Sequence, residues 1–216
     1  MSSYTTAKQD HSHDAGHSHE LPHKTQLKAN RLGLWLFFIS EIFLFAALLV
    51  ARFYLWGDTR PELSQELALI TTSVLLLSSY FVYRGESAIA HGDQKSFASS
   101  FLAAAILGFI FFVGVVVMEW NLFGVSGGEF LGIEWFGHLK PTDGVHGGIF
   151  FMMTGMHALH VISGVALLLI AWNRGRKGSY TAERHWGAEG TALYWHYVDV
   201  IWIFYYPALY LIGTPV

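Results

Sequence analysis

Cysteine is absent from the chain. That absence excludes disulfides, thiolate nucleophiles, Cys-ligated zinc and iron–sulfur clusters. Charge is scarce as well: Asp, Glu, Lys and Arg make up 13% of the 216 residues, where a soluble domain carries about 25%. A net charge of −3 gives no electrostatic footprint for nucleic acid. Phosphate-binding glycine loops are missing, and no serine-nucleophile motif stands in a strand-to-helix context. What remains is 53% hydrophobic sequence, the composition of a chain solvated largely by lipid.

Residues 1–30 read as a disordered cytoplasmic tail, with His11, His13, His17, His19 and His23 set among Ser, Asp and Gly and almost nothing apolar to bury. Without a fixed backbone these histidines have no set coordination geometry, so the tail reads as solvated rather than as a metal site. The first apolar run is too long for a signal peptide and lacks a small-residue cleavage site, so it is expected to stay in the membrane. The domain 31–216 holds five apolar stretches, at about 32–56, 66–83, 97–120, 146–172 and 190–212. Each approaches the roughly 20 residues a helix needs to cross a bilayer, and a helix satisfies its own backbone where hydrocarbon cannot. The expectation is therefore an all-α polytopic bundle of five transmembrane helices. Trp35, Trp56, Trp120 and Trp172 sit where interfacial tryptophans belong.

Lys8, Lys24, Lys28, Arg31, Arg84, Lys95, Arg174, Arg176, Lys177 and Arg184 fall on one side of such a bundle, against Arg52, Arg60 and Lys140 on the other. By the positive-inside rule the N-terminus is cytoplasmic and the C-terminus periplasmic.

Ionisable residues inside the apolar stretches are the candidate functional residues. Glu41 sits mid-helix in Phe38-Ile39-Ser40-Glu41-Ile42-Phe43, where an acidic group costs on the order of 2.5–3.5 kcal/mol. It should face other helices and find a hydrogen-bond partner. It reads either as a proton-handling group or as a neutral acid tying two helices together. Glu119, beside Trp120, closes the third stretch, where it should reach water. His157 and His160 lie three apart on the fourth stretch; Glu189, His196 and Asp199 lie on the fifth. Residues three apart share a helix face. Facing histidines suit heme or metal ligation, but the repeated Glu-x-x-His pairs of a helical di-iron site do not occur in the apolar stretches. The reading adopted is a buried network in which His and Asp on adjacent helices satisfy each other and fix helix register.

Two long runs carry a family resemblance. One is Asp143-Gly144-Val145-His146-Gly147 with Phe150-Phe151-Met152-Met153-Thr154-Gly155-Met156-His157-Ala158-Leu159-His160-Val161-Ile162-Ser163-Gly164. The other is Tyr194-Trp195-His196-Tyr197-Val198-Asp199-Val200-Ile201-Trp202-Ile203-Phe204. With Ser40-Glu41 in an aromatic-rich first helix and the turn His91-Gly92-Asp93-Gln94-Lys95, the chain from about residue 32 to 213 resembles subunit III of the heme-copper oxidases (cytochrome c oxidase type), in the short five-helix bacterial form.

The resemblance implies a non-catalytic accessory subunit in a multi-pass position of the bacterial inner membrane. It would bind no heme, copper or other metal itself, those cofactors being expected in partner subunits. It would pack against subunit I, neighbour subunit II and small subunits or a respiratory supercomplex, hold phospholipids in a cleft and sustain turnover. Glu41 would line that cleft, and His157, His160, Glu189, His196 and Asp199 would brace the helices. The chain departs from mitochondrial members at Glu86-Ser87, where they often carry two histidines, and its His-rich tail is outside the family pattern. A subunit of a quinol oxidase or nitric oxide reductase shares these motifs and stays open. An independent proton-coupled transporter would show internal repeats and broken helices, and neither is found.

Overall fold

The computed structural model describes residues 23–125, 129–130 and 133–216. Five long helices dominate: α1 His23–Trp56, α2 Gln65–Ala90, α3 Gln94–Val113, α4 Gly144–Arg176 and α5 Trp186–Tyr206. α3 and α5 each end in a wider π turn, over Gly114–Glu119 and Pro207–Leu211. Four two-residue strands complete the elements: β1 Thr59–Arg60, β2 Glu129–Phe130, β3 Ile133–Glu134 and β4 Thr214–Pro215. α1, α2, α3 and α4 are long and apolar enough to cross a membrane.

The helices outrun the stretches that hydropathy marks. α2 continues to Ala90 rather than stopping near residue 83, and α4 to Arg176 rather than residue 172. α5 starts at Trp186 rather than near residue 190. Hydropathy measures the apolar thickness, whereas the hydrogen-bond ladder runs on into water until a cap ends it. The largest departure is in the tail. Residues 23–30, expected to be disordered, form the first turns of α1. The segment from Thr25 to Leu32 has no Gly or Pro and includes Gln26, Leu27, Lys28 and Ala29, all good helix formers. His11, His13, His17 and His19 lie outside the described residues.

α2, α3, α4 and α5 close into a ring in which each packs on the next and α5 returns to α2, while α1 lies outside against α4 and α5. Only 11% of the most apolar window of α1 is buried within the protein, against 39–44% for α2, α3 and α4. The start of α1, the α2–α3 turn and the α4–α5 loop share one end of the bundle, here the lower end; the C-terminus lies at the upper end. Asp93 caps α3 by accepting from the backbone N–H of Lys95 and Ser96 at 3.1 and 3.0 Å. The Ser96 side chain first, and then these backbone bonds, hold its carboxyl below the usual range. At the upper end β1 and β4 pair in parallel. The fully buried Arg52 donates to the carbonyls of Gly57 and Ile212 and lies over the rings of Phe53 and Trp56 at 4.7 and 5.0 Å, so the C-terminal strand is clasped to the end of α1.

The ring is keyed by tryptophans of α5. Trp195 is fully buried and donates its indole N–H to Ser78 Oγ at 2.9 Å. Its ring fills a notch between Gly108 and Gly164, where an added Cβ would stand 2.3 and 2.8 Å from ring carbons. Trp202 repeats the device one helical stretch on, donating to Thr72 Oγ1 at 2.9 Å. Small residues permit this close approach in lipid. Gly108→Ala should therefore overpack the notch and destabilise the fold by about 1–3 kcal/mol. Trp195→Phe in the same chain should restore part of that loss, which denaturant unfolding in micelles would measure.

Candidate functional site

Three of the predicted side chains, Glu41, His160 and Glu189, lie on the seam where α1 meets α4 and α5, and polar ties cross that seam at three heights. At the lower end Arg31 donates to Glu189 Oε1 at 2.7 Å and reaches over the Trp186 ring at 5.8 Å, tying the start of α1 to the start of α5. Mid-helix, Glu41 Oε2 meets His160 Nε2 at 3.1 Å. Phe45, one turn on from Glu41, sets its ring edge-on to His160 at 4.8 Å, and its carbonyl accepts from Tyr205 Oη at 3.0 Å. Phe38 stacks on Tyr197 with ring centroids 4.7 Å apart. The Arg52 clasp forms the upper tie.

The tautomer at the centre is set by the backbone. His160 Nδ1 lies 2.8 Å from the carbonyl oxygen of Met156. A carbonyl only accepts, so Nδ1 carries a hydrogen. Nε2 then either accepts from a neutral Glu41 carboxyl or, as imidazolium, donates to a carboxylate. Both forms place one shared proton across the 3.1 Å gap, and both are net neutral. Glu41 thus has the partner its position demanded, on the face of α1 turned to α4. Beside it, Tyr194 Oη lies 2.7 Å from Ser163 Oγ.

His157 diverges from His160. It is almost fully buried, its Nε2 donates to the carbonyl of Val198 at 3.1 Å, and its ring lies 4.6 Å from that of Trp202. A three-residue step leaves about 60° between two side chains, enough to send one into the ring and the other to the seam. His196 pairs with Ser79 Oγ at 3.0 Å. Asp199 is buried, and neither of its carboxyl oxygens has a hydrogen-bond partner among the described residues. The expected His–Asp network between adjacent helices therefore does not form. The histidines take Glu41, a backbone carbonyl and a serine instead: His196 is turned to Ser79 on α2, and the carboxyl of Asp199 meets neither α4 histidine.

Glu119 also departs from expectation. It does not reach water: it is 3% exposed, because the segment through Phe136, Gly137 and His138 covers it. Among the described residues no three His, Asp or Glu side chains come together as a metal site would require.

Sequence reasoning missed Arg52 and the pairing roles of Arg31 and Tyr194. The signal for Arg52 was present: an arginine four residues before Trp56, inside an apolar run. Arg31, Trp186 and Tyr194 also border a groove. An apolar cavity of about 590 Å³ is lined by Gly33, Leu34, Leu167, Gly190 and Tyr194. It continues at Trp186 and Gly187 into a polar one of about 340 Å³ lined by Arg31, Arg184, His185 and Glu189.

Compared with known proteins, residues 10–214 match the family model described as cytochrome c oxidase subunit III. Three curated relatives carry the name cytochrome c oxidase subunit 3. The dugong protein is 32% identical over 203 residues, covering 88% of this chain and 72% of the relative. The rat protein is 31% identical over 200 residues, covering 87% and 71%. The Atlantic cod (Gadus morhua) protein is 33% identical over 202 residues, again covering 87% and 71%.

Because Gln presents a donor to His160 Nε2 as a neutral carboxyl does, Glu41→Gln should leave α1 docked and the protein near wild-type stability. Glu41→Ala and His160→Ala should each lose the tie. A double-mutant cycle on unfolding in micelles should return a coupling of about 0.6 kcal/mol, up to roughly 1.7; no coupling would show that the pair does not hold the seam.

Proposed function

We propose that this chain, which belongs to the cytochrome c oxidase subunit III family, is a non-catalytic accessory subunit of a proton-pumping respiratory terminal oxidase. The observation that carries this reading is the match over residues 10–214. The complex oxidises cytochrome c and reduces oxygen to water. Its hemes and copper reside in partner subunits; this chain packs on subunit I beside subunit II and stabilises it, in a bacterial inner membrane. α5 is the fifth span. Its polar residues Asp199, Thr191 and Tyr205 are buried among neighbours, so a helix of modest hydropathy suits the bilayer. The lower end carries Lys28, Arg31, Arg84, Lys95, Arg174, Arg176, Lys177 and Arg184 and faces the cytoplasm; the upper end, with Arg52, Arg60 and Lys140, faces the periplasm.

The groove along α1 supports the phospholipid part of the reading. Its apolar length beside Leu34, Leu167 and Tyr194 suits an acyl chain, and Arg31 and Arg184 at its lower mouth suit a headgroup phosphate. The chain's own residues supply a protein wall on one side of that lipid and a cationic anchor at headgroup depth.

Purifying the tagged chain from its native membrane should bring down heme-bearing subunits; a chain that purifies alone and transports protons in liposomes would overturn the assignment. Oxidase stripped of this chain should begin turnover normally and then inactivate faster than the intact complex. Arg184→Glu should lower the phospholipid retained by the complex, read by native mass spectrometry, without loss of the subunit itself. Unchanged lipid content would remove this groove as the binding place.

A further inference from the structure

The seam and the groove leave one buried acid unused. Glu119 stands at the end of the π turn that closes α3. A π turn takes in an extra residue and so rotates the residues after it by about 100° round the axis. The rotation turns Glu119 toward the interior at the upper end. α5 closes with the same device over Pro207–Leu211, which presents Tyr210 from the other side. Tyr210 is fully buried. Glu119 Oε1 and Tyr210 Oη are both sealed from solvent and outside hydrogen-bond geometry with any described residue, although the tyrosine hydroxyl is turned to the carboxyl.

Glu119 lines a largely enclosed cavity of about 190 Å³ together with Glu62, Ser64, Leu67, Phe136 and His138. Its cover is held down by backbone. Gly137 N–H donates to the Met118 carbonyl at 3.1 Å. A Cβ on Gly137 would stand 1.9 Å from the Glu119 carbonyl oxygen, so only glycine lets the cover lie this close.

An ionised carboxylate with an unpaired buried oxygen costs several kcal/mol. The pocket can relieve that cost with a metal cation or with a proton. A cation wants several oxygen or nitrogen ligands, and no three His, Asp or Glu side chains converge among the described residues. A proton needs only an acceptor and a neighbour. A single water needs at least about 10–15 Å³ and two to four polar partners. The cavity has room for several, and Glu119, Glu62, Ser64 and His138 line its wall. We propose that this pocket is a proton-and-water site, in which Glu119 is kept as a neutral carboxylic acid, set directly against Tyr210, beside ordered water in the cavity and shut off from the upper aqueous phase by the cover at Phe136–His138.

The titratable groups around the acid come from three elements: Tyr210 from the end of α5, Glu62 from the α1–α2 connection and His138 from the cover. Exchange of the proton with bulk water requires the cover to lift. The site lies at the end opposite Arg31 and Glu189, so it is separate from the groove along α1, and it belongs to this chain whether or not the chain is assembled with others.

Infrared spectroscopy of the full-length chain, purified with ¹³C-labelled glutamate in nanodiscs at pH 7, tests the proposal. A solvated Glu titrates at about 4.3 and is ionised at that pH. Subtracting the spectrum of Glu119→Gln from wild type should show loss of one protonated-carboxyl C=O band with no loss of carboxylate bands. Tyr210→Phe should shift that band, and Phe136→Ala should speed its hydrogen–deuterium exchange at least tenfold. The Gln variant mimics the neutral acid and should fold. Loss of a carboxylate band, a band that moves when Na⁺ is replaced by K⁺ or Ca²⁺ at fixed ionic strength, or failure of Glu119→Gln to fold would each overturn the proposal. So would exchange in Phe136→Ala as slow as in wild type.

Discussion

Hydrocarbon offers no partner for a polar side chain, and the architecture is organised round the helix that needs partners most. α5 carries Thr191, His196 and Asp199 between Trp195, Tyr197 and Trp202. Such a helix cannot face lipid all round. It is enclosed by α2 and α4, with α3 behind them. Each indole N–H finds a hydroxyl on α2: Trp195 on Ser78, Trp202 on Thr72. The serines and threonines that make α2 the least apolar of the four long spans are thus the acceptors α5 requires, and the glycines of α3 and α4 supply the clearance its rings require. Polar satisfaction and close packing are one solution.

α1 answers the same constraint differently. Lipid tails give helices no hydrophobic reason to associate, and α1 has no glycine notch filled by a ring of its neighbours: nothing lies within 4 Å of a Cβ built on Gly33. Discrete ties replace area, with an ion pair at the lower end, the shared proton of Glu41 and His160 at mid-height and the guanidinium of Arg52 at the upper end. The mid-height and upper ties lie on residues that would be costly in the membrane unpaired, while the lower one joins an exposed Arg31 to Glu189, so the penalty for undocking α1 is the loss of discrete polar pairings rather than of a broad contact.

Hydropathy and charge made the all-helical class and the segment order legible, because they depend on composition averaged over about twenty residues. The site was legible only as a set of suspects. Glu41 was expected to find a partner, but nothing local points to His160, 119 residues away; the choice is made by how α1 leans on α4. His157 and His160 look equivalent by spacing, yet a rotation of about 60° separates a core residue from a seam residue. Asp199 was expected to answer a histidine and answers none. Glu119 was expected in water because it ends an apolar run. The π turn that redirects it and the loop that covers it leave no periodicity to read, for a π turn is a single added residue and the cover is held by backbone bonds that any sequence can make except at Gly137.

The two ways of holding helices also divide the surface by function. A ring keyed by the Trp195 indole in its glycine notch is closely packed at that level, so it can serve as a rigid frame. A helix held at three points leaves gaps between the points, and the groove from Arg31 to Tyr194 is such a gap. Filling it with larger side chains would stabilise α1 and remove the groove. Relying on polar ties keeps the space open at the cost of needing every tie satisfied. For a chain proposed to hold lipid against a larger partner, that arrangement is a consequence of the packing: the frame fixes the position of the seam, and the seam, because it is sparsely packed, has room for something that is not protein.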